Sequence, residues 1–111
     1  MSLAYEISPQ DVKTRLNAGE GLWLIDVREQ HEHAVARLDG AELIPMKTVP
    51  CELQRLEVQA ESATLIVYCH HGMRSLSVVD WLRRQGVDNC QSMAGGIDAW
   101  SVSIDASVPR Y

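Results

Sequence analysis

The chain has 111 residues, 46% hydrophobic and 23% charged, with a formal charge of -5. The length fits one domain spanning residues 1–111, and the apolar fraction excludes a disordered chain. With only 7 Gly and 4 Pro a low-complexity chain is excluded, and the acidic balance argues against a basic nucleic-acid grip. The three cysteines, Cys51, Cys69 and Cys90, are odd in number and far apart, so they make no disulfide framework and point to a reducing, cytoplasmic setting. No apolar run reaches the ~20 residues of a membrane span, so no membrane partner is expected. The start lacks a basic region followed by an apolar stretch, so no signal peptide is expected; Met1-Ser2-Leu3 reads either as native or as a cloning remnant.

In chain order, Ser8-Pro9-Gln10-Asp11 predicts a helix start, with Ser8 as cap and Pro9 at the first helical position. Val12 and Leu16 share its face, and Gly19 offers a stop. Leu22 to Val27 is a continuous apolar run closed by charge, the pattern of a strand buried on both faces. Glu29 to Val35 predicts a short helix or turn, and Leu43-Ile44-Pro45 a short strand stopped by proline. Pro50 to Val58 carries Leu53 and Leu56 at helical spacing. Thr64 to Tyr68 is the second buried-strand signal. Ser75, Val78, Val79 and Leu82 then follow the helical template, with Gly86 as the stop. Asn89 to Met93 predicts a last short strand, and Gly95-Gly96 precede a helical turn at Ile97 to Trp100. Ser101 to Tyr111 reads as an irregular tail laid over the surface. Strands alternating with helices predict an α/β domain with a mainly parallel sheet.

The segment Tyr68-Cys69-His70-His71-Gly72-Met73-Arg74-Ser75 lies between the strongest strand and the strongest amphipathic helix. Ligands of open α/β sheets bind beyond the carboxyl ends of strands. A tight loop there turns backbone N–H groups inward, and the following helix adds its positive end. A cysteine at the loop start is thereby favoured as thiolate. Gly72 permits the curled backbone, Arg74 supplies a fixed positive charge, and Ser75 can cap the helix or donate to sulfur. A lone cysteine at a strand end is more often a buried small residue. Here strand, Cys, Gly, Arg and helix coincide.

The segment CHHGMRS resembles the active-site loop of rhodanese domains. Three further blocks are similar to that family, in its order: Ile25-Asp26-Val27-Arg28-Glu29, Gly40-Ala41-Glu42-Leu43-Ile44-Pro45, and Ala94-Gly95-Gly96-Ile97-Asp98-Ala99-Trp100. Ala36-Arg37-Leu38 stands where many members have Gly-His-Ile, which puts the local turn in doubt. The chain end, from Trp100 to Tyr111, also resembles rhodanese domains fused to ubiquitin-activating-like adenylyltransferases, which pass sulfur to small carrier proteins.

The resemblance implies a mainly parallel five-stranded sheet flanked by helices on both faces. It implies a sulfurtransferase in which Cys69 is the nucleophile and becomes a persulfide. Thiosulfate or a persulfide would be the donor, and cyanide, a thiol or a small carrier protein the acceptor. Loop N–H groups from His70 to Ser75 would stabilise the persulfide anion, and Arg74 would hold the leaving sulfite or an anionic donor. His70 and His71 would add charge or shape the entrance. A persulfide relay serving a protein partner in cofactor or tRNA thiolation, and a non-catalytic binding module, are the alternatives. Phosphatase or arsenate reductase chemistry is disfavoured, because only four residues separate Cys69 from Arg74 and a phosphate needs a wider cradle.

Among the other residues, Asp26 and Arg28 read as structural ties at a strand end, with Glu29 sharing the role. Metal and organic cofactors are not expected. The His31/His33 pair reads as a solvated helix face rather than a zinc site, and adjacent His70 and His71 rarely converge on one ion. Cys51 and Cys90 read as inert. Trp23 and Trp81 read as core or half-buried, Trp100 as a cover for the loop's underside, and Met46, Leu53 and Leu56 as entrance or core.

Overall fold

The structure, a computed structural model, describes residues 3–111. Met1 and Ser2, part of the segment left open between native sequence and cloning remnant, lie outside the described residues. The elements are β1 (Glu6–Ile7), α1 (Pro9–Asn17), β2 (Leu22–Asp26), α2 (Gln30–Val35), β3 (Glu42–Leu43), α3 (Leu53–Ala60), β4 (Thr64–Tyr68), α4 (Met73–Arg84), β5 (Cys90–Met93) and α5 (Gly96–Ser103). A 3-10 segment, Met46–Glu52, precedes α3.

The five strands form one sheet in the order β1-β5-β4-β2-β3, and every pairing is parallel. β4 lies at the centre, which is why all five of its residues are buried and why its sequence is an unbroken apolar run. Strand alternation sends Ile25, Val27, Leu65 and Val67 to one face, where Leu56 of α3 and Val78, Val79 and Leu82 of α4 cover them. Leu24, Ile66 and Tyr68 point the other way, onto Val12 of α1 and Ile97 and Trp100 of α5. Two apolar clusters therefore sandwich the sheet, and each fully buried Leu or Ile contributes roughly 1.5–3 kcal/mol. No helix among the described residues is long and apolar enough to cross a membrane.

α1 starts as expected: the Ser8 side chain accepts from the Asp11 N–H at 3.0 Å and Pro9 follows the cap. Glu29 caps α2 in a reciprocal capping box with Glu32. The differences lie in the short elements. β1 escapes the pattern because two residues pairing with Ser92 and Met93 leave no periodicity. Pro50 lacks an N–H donor and sits in the 3-10 segment, so α3 starts at Leu53 rather than at Pro50. α5 runs to Ser103, into the expected irregular tail, and the tail beyond it brings Tyr111 back over His70. Trp23 lies on the outer part of β2, 38% exposed, and its Nε1–H donates to Glu42 Oε1. Trp81 packs half-buried against the α4-side core, Leu56 is core, and Met46 is exposed.

Pairing of β2 with β4 in register, Asp26 beside Tyr68, brings both carboxyl ends to one edge of the sheet. The Val27 N–H donates to the Tyr68 carbonyl at 3.1 Å, so the segment after β2 runs beside the segment after β4.

Candidate active site

Cys69 follows β4 directly and is 1% exposed, yet it forms the floor of a depression of about 200 Å³ lined also by His70, His71, Met73 and Arg74. The loop curls because Gly72 takes φ +102°, in the left-handed region where a side chain is strained. That turn aims the Gly72 N–H at Cys69 Sγ, at 3.1 Å, and the Ser75 N–H at the same sulfur, at 3.3 Å. α4 begins at Met73, so Met73, Arg74 and Ser75 form its first turn and its positive end faces the sulfur. Ser75 Oγ stands 3.4 Å from Sγ, 3.2 Å from the Gly72 carbonyl and 2.7 Å from Ser92 Oγ. The Ser75 hydroxyl donates to the Gly72 carbonyl, which leaves its oxygen to accept from Ser92. Two N–H groups, those of Gly72 and Ser75, reach Sγ, rather than the whole run from His70 to Ser75.

The underside of the loop is held by backbone, which corrects the role given to Trp100. Trp100 is buried in the core on the α5 side of the sheet. The Ile97 N–H donates to the Cys69 carbonyl at 2.9 Å, and the Asp98 N–H to the His70 carbonyl at 3.1 Å. Gly96, at φ +61°, is what allows this approach: a Cβ there would stand 2.5 Å from the Cys69 carbonyl oxygen.

Arg74 is not a free cation. Its guanidinium grips Glu32 in α2 with two bonds, 2.8 Å to Oε1 and 3.0 Å to Oε2. Glu32 is buried, and it also accepts from the Tyr111 hydroxyl at 2.7 Å and the Glu29 N–H at 3.2 Å. The Arg74 bonds hold its carboxyl far below the usual carboxylate range, against the opposing effect of burial. Arg74 is in turn stabilised as a cation, chiefly by Glu32.

Asp26 and Arg28 are both fully buried. Arg28 holds Asp26 with Nε at 2.9 Å and Nη2 at 2.7 Å, and donates from Nη2 to the Ala36 carbonyl. Its Nη1 donates to the Tyr111 hydroxyl at 2.6 Å. His33 corrects the reading of a solvated pair: its Nδ1 lies 2.8 Å from Asp26 Oδ2, while His31 is exposed.

The tail enters the site through Tyr111. Its hydroxyl bridges Arg28 and Glu32, and its ring stacks on His70 with centroids 4.0 Å apart and planes 7° apart. Burial, with the bond to Glu32, pushes the Tyr111 hydroxyl up to about 12. His70 stacks in turn on His71 at 3.9 Å, and its Nε2 is enclosed without a hydrogen-bond partner. Burial, with the neighbouring His71, pulls the His70 imidazole below its ordinary value. The same burial works against a charge on the His70 ring. His70, His71 and Asp98 place ligand-type atoms within 4.8 Å of one another. The rings are stacked 26° apart, and one ion cannot lie in both ring planes without turning one of them. Asp98 is also held by Arg110, at 2.9 and 3.3 Å.

Glu32 and Tyr111 are the site residues that the sequence reading missed. A hint at Glu32 was its position three residues after Glu29, the capping-box spacing. The remaining cysteines lie apart from this chemistry. Cys51 is exposed in the 3-10 segment, and Cys90 is buried in β5, where burial pushes its thiol up.

A family model described as "Rhodanese-like domain" matches residues 8–103. The chain is 36% identical over 95 residues to the putative sulfurtransferase YtwF of Bacillus subtilis, covering 86% of this chain and 88% of that one. It is 30% identical over 105 residues to the probable adenylyltransferase/sulfurtransferase MoeZ of Mycobacterium tuberculosis, covering 95% of this chain. The chain spans about a quarter of that relative's length (26%). The crystal structure of a rhodanese-like domain protein from Staphylococcus aureus superposes with a TM-score of 0.80 at 28% identity, covering 97% of this chain and 99% of that one.

Proposed function

Because the chain belongs to the rhodanese-like domain family and is homologous to its sulfurtransferase domains, we propose that it moves a sulfane sulfur through a persulfide on Cys69. The observation that carries this reading is the pair of backbone N–H groups, from Gly72 and Ser75, converging on Cys69 Sγ at a helix start. Such donors stabilise a sulfur anion without having to reorganise.

The Cys69 thiolate attacks the outer sulfur of a donor. The new Sγ–S bond forms as the donor's own S–S bond breaks, and the electron pair leaves on sulfite or on a thiolate. In the second half, an acceptor attacks the outer sulfur of the persulfide. The Sγ–S bond breaks and Cys69 is released as thiolate. Electrons balance within each half, so no metal or organic cofactor is called for, and ping-pong kinetics follow. The acceptor in this half is a thiophilic nucleophile: cyanide, a small thiol, or a thiol presented by a carrier protein. This thiol chemistry suits a reducing compartment such as the cytoplasm.

A persulfide relay serving a protein partner is the second reading. It is favoured by the likeness to an adenylyltransferase/sulfurtransferase over 95% of this chain and by the Arg74 cation already being paired with Glu32. A purely binding role is disfavoured, because it would not need a cysteine set among N–H donors.

The test is intact mass spectrometry without reductant, before and after adding thiosulfate or a low-molecular-weight persulfide, with Cys69→Ser alongside. A gain of one sulfur (~32 Da), absent in the variant and removed by cyanide, is the expected result. No gain with either donor would overturn the reading.

A further inference from the structure

Arg74 is the one guanidinium among the residues lining the depression over Cys69. An anionic donor arriving there needs a cation with free N–H groups. Thiosulfate carries two negative charges and three sulfonate oxygens, all of which lose water on entering. Both terminal nitrogens of Arg74 already give an N–H to Glu32, so the face of the fork best suited to two anionic oxygens is taken and its charge is matched. Glu32 is not a loose surface partner. It is buried behind Arg74 and held by the Tyr111 hydroxyl and the Glu29 N–H. Taking the fork away would leave a buried carboxylate short of its strongest partner. Burial also works against a replacement charge on the nearby His70 imidazole.

We infer that Glu32 sets the donor preference of this site through Arg74: it occupies the fork, cancels its charge, and turns the site from thiosulfate toward persulfide sulfur carried on a thiol. The inference rests on the sulfurtransferase reading above. Glu32 is a positioning and specificity-determining residue, and it does not touch the reacting sulfur. A persulfide brings at most one charge at the reacting end and offers sulfur, not sulfonate, to the loop N–H groups. Specificity of this kind is a difference between two donors, and it is exerted against the unwanted one.

The experiment compares thiosulfate with cysteine persulfide as donors for the wild type, Glu32→Gln, Glu32→Asp and Tyr111→Phe. Glu32→Gln frees the fork while keeping the size. The ratio of kcat/KM for thiosulfate to that for the persulfide is expected to rise about tenfold, mainly through a lower KM for thiosulfate. Glu32→Asp keeps the charge and Tyr111→Phe keeps the Arg74 pair, so neither is expected to show that rise. Equal rises in Glu32→Asp and Glu32→Gln, or proportional changes with both donors, would overturn the inference.

A measurement on the wild type alone covers the case in which Glu32→Gln does not fold. Inorganic sulfate resembles thiosulfate in shape and charge. It is expected to leave the amide NMR signals of His70 to Ser75 unmoved, and saturable binding at low millimolar sulfate would overturn the inference. Wild type that gains sulfur from the persulfide while the donor ratio stays fixed in Glu32→Gln retains the sulfurtransferase reading and loses this one. No sulfur gain from any donor removes both.

Discussion

Gly96 lies directly beneath Cys69: a Cβ at position 96 would stand 2.5 Å from the Cys69 carbonyl oxygen, and φ there is +61°. The two residues are far apart in sequence but form one structural unit, because the neighbouring Ile97 N–H donates to that same carbonyl. The α5 start is thus a second support for the loop, placed below it while α4 supports it from one side. Gly96→Ala meets both a backbone clash and an unfavourable φ. A loss of about 1–3 kcal/mol in stability is expected, with loop displacement lowering sulfur uptake at Cys69. Chemical denaturation and the mass gain on Cys69 check the two effects separately. A variant as stable and as active as the wild type would mean that the loop does not need this close approach.

Ser75 holds the sulfur and the loop together. Its N–H and hydroxyl both face Cys69 Sγ, and the hydroxyl also reaches the Gly72 carbonyl and Ser92. Ser75→Ala keeps the N–H donor and removes only the hydroxyl. The Ser92 hydroxyl then loses a buried partner, at a cost of about 1–3 kcal/mol. Sulfur transfer is expected to fall by roughly tenfold, since the hydroxyl beside the sulfur is gone while the N–H donors of Gly72 and Ser75 remain. Single-turnover loading of Cys69 measures this, and a complete loss would show that the hydroxyl carries the anion stabilisation by itself.

What the sequence made legible follows from how local each feature is. β4 and α4 were readable because five consecutive buried residues, and then an apolar stripe of 3.6 spacing, each report their own environment. The loop between them was readable for the same reason: Cys69, Gly72, Arg74 and Ser75 are neighbours in the chain. Glu32 belongs to α2, and the partner that defines it, Arg74, lies 42 residues away. Only the parallel pairing of β2 with β4 brings them together, and a pattern within α2 carries no record of that. Tyr111 is harder still, because a tyrosine in an irregular tail shows no periodicity, and its role depends on the tail turning back over His70. His33 was misread for a related reason: its ring is tied to a buried carboxylate from a different element.

Glu32 gives stability a pH dependence of defined sign. Its carboxyl is held far below the ordinary value of 4.5, first by Arg74 and then by Tyr111 and the Glu29 N–H. A group whose value is lowered by folding stabilises the native state above its unfolded value. That contribution is lost as pH falls below about 4.5, because the unfolded chain binds the proton first. Glu32→Gln is therefore expected to be less stable than the wild type near pH 7, with the gap narrowing steadily below pH 4.5. Thermal melts of both proteins from pH 3 to 7 would show it. A gap that stays constant with pH would mean that the charge of Glu32 is not what its partners stabilise.

His70 and Tyr111 give the opposite handle on the same site. The two rings stack at 4.0 Å, and the Tyr111 ring helps to keep His70 from water. Burial lowers the His70 imidazole below its ordinary value of 6.5, with the neighbouring His71 adding to the effect. A histidine buried in its neutral form costs stability once the unfolded chain protonates, so its contribution weakens as pH falls through 6.5. Tyr111→Ala uncovers the ring. The His70 resonance, followed by NMR against pH, is expected to titrate closer to the ordinary value in that variant than in the wild type. If His70 titrates identically in both proteins, the tail does not shield the entrance, and its ring is covered by the loop alone.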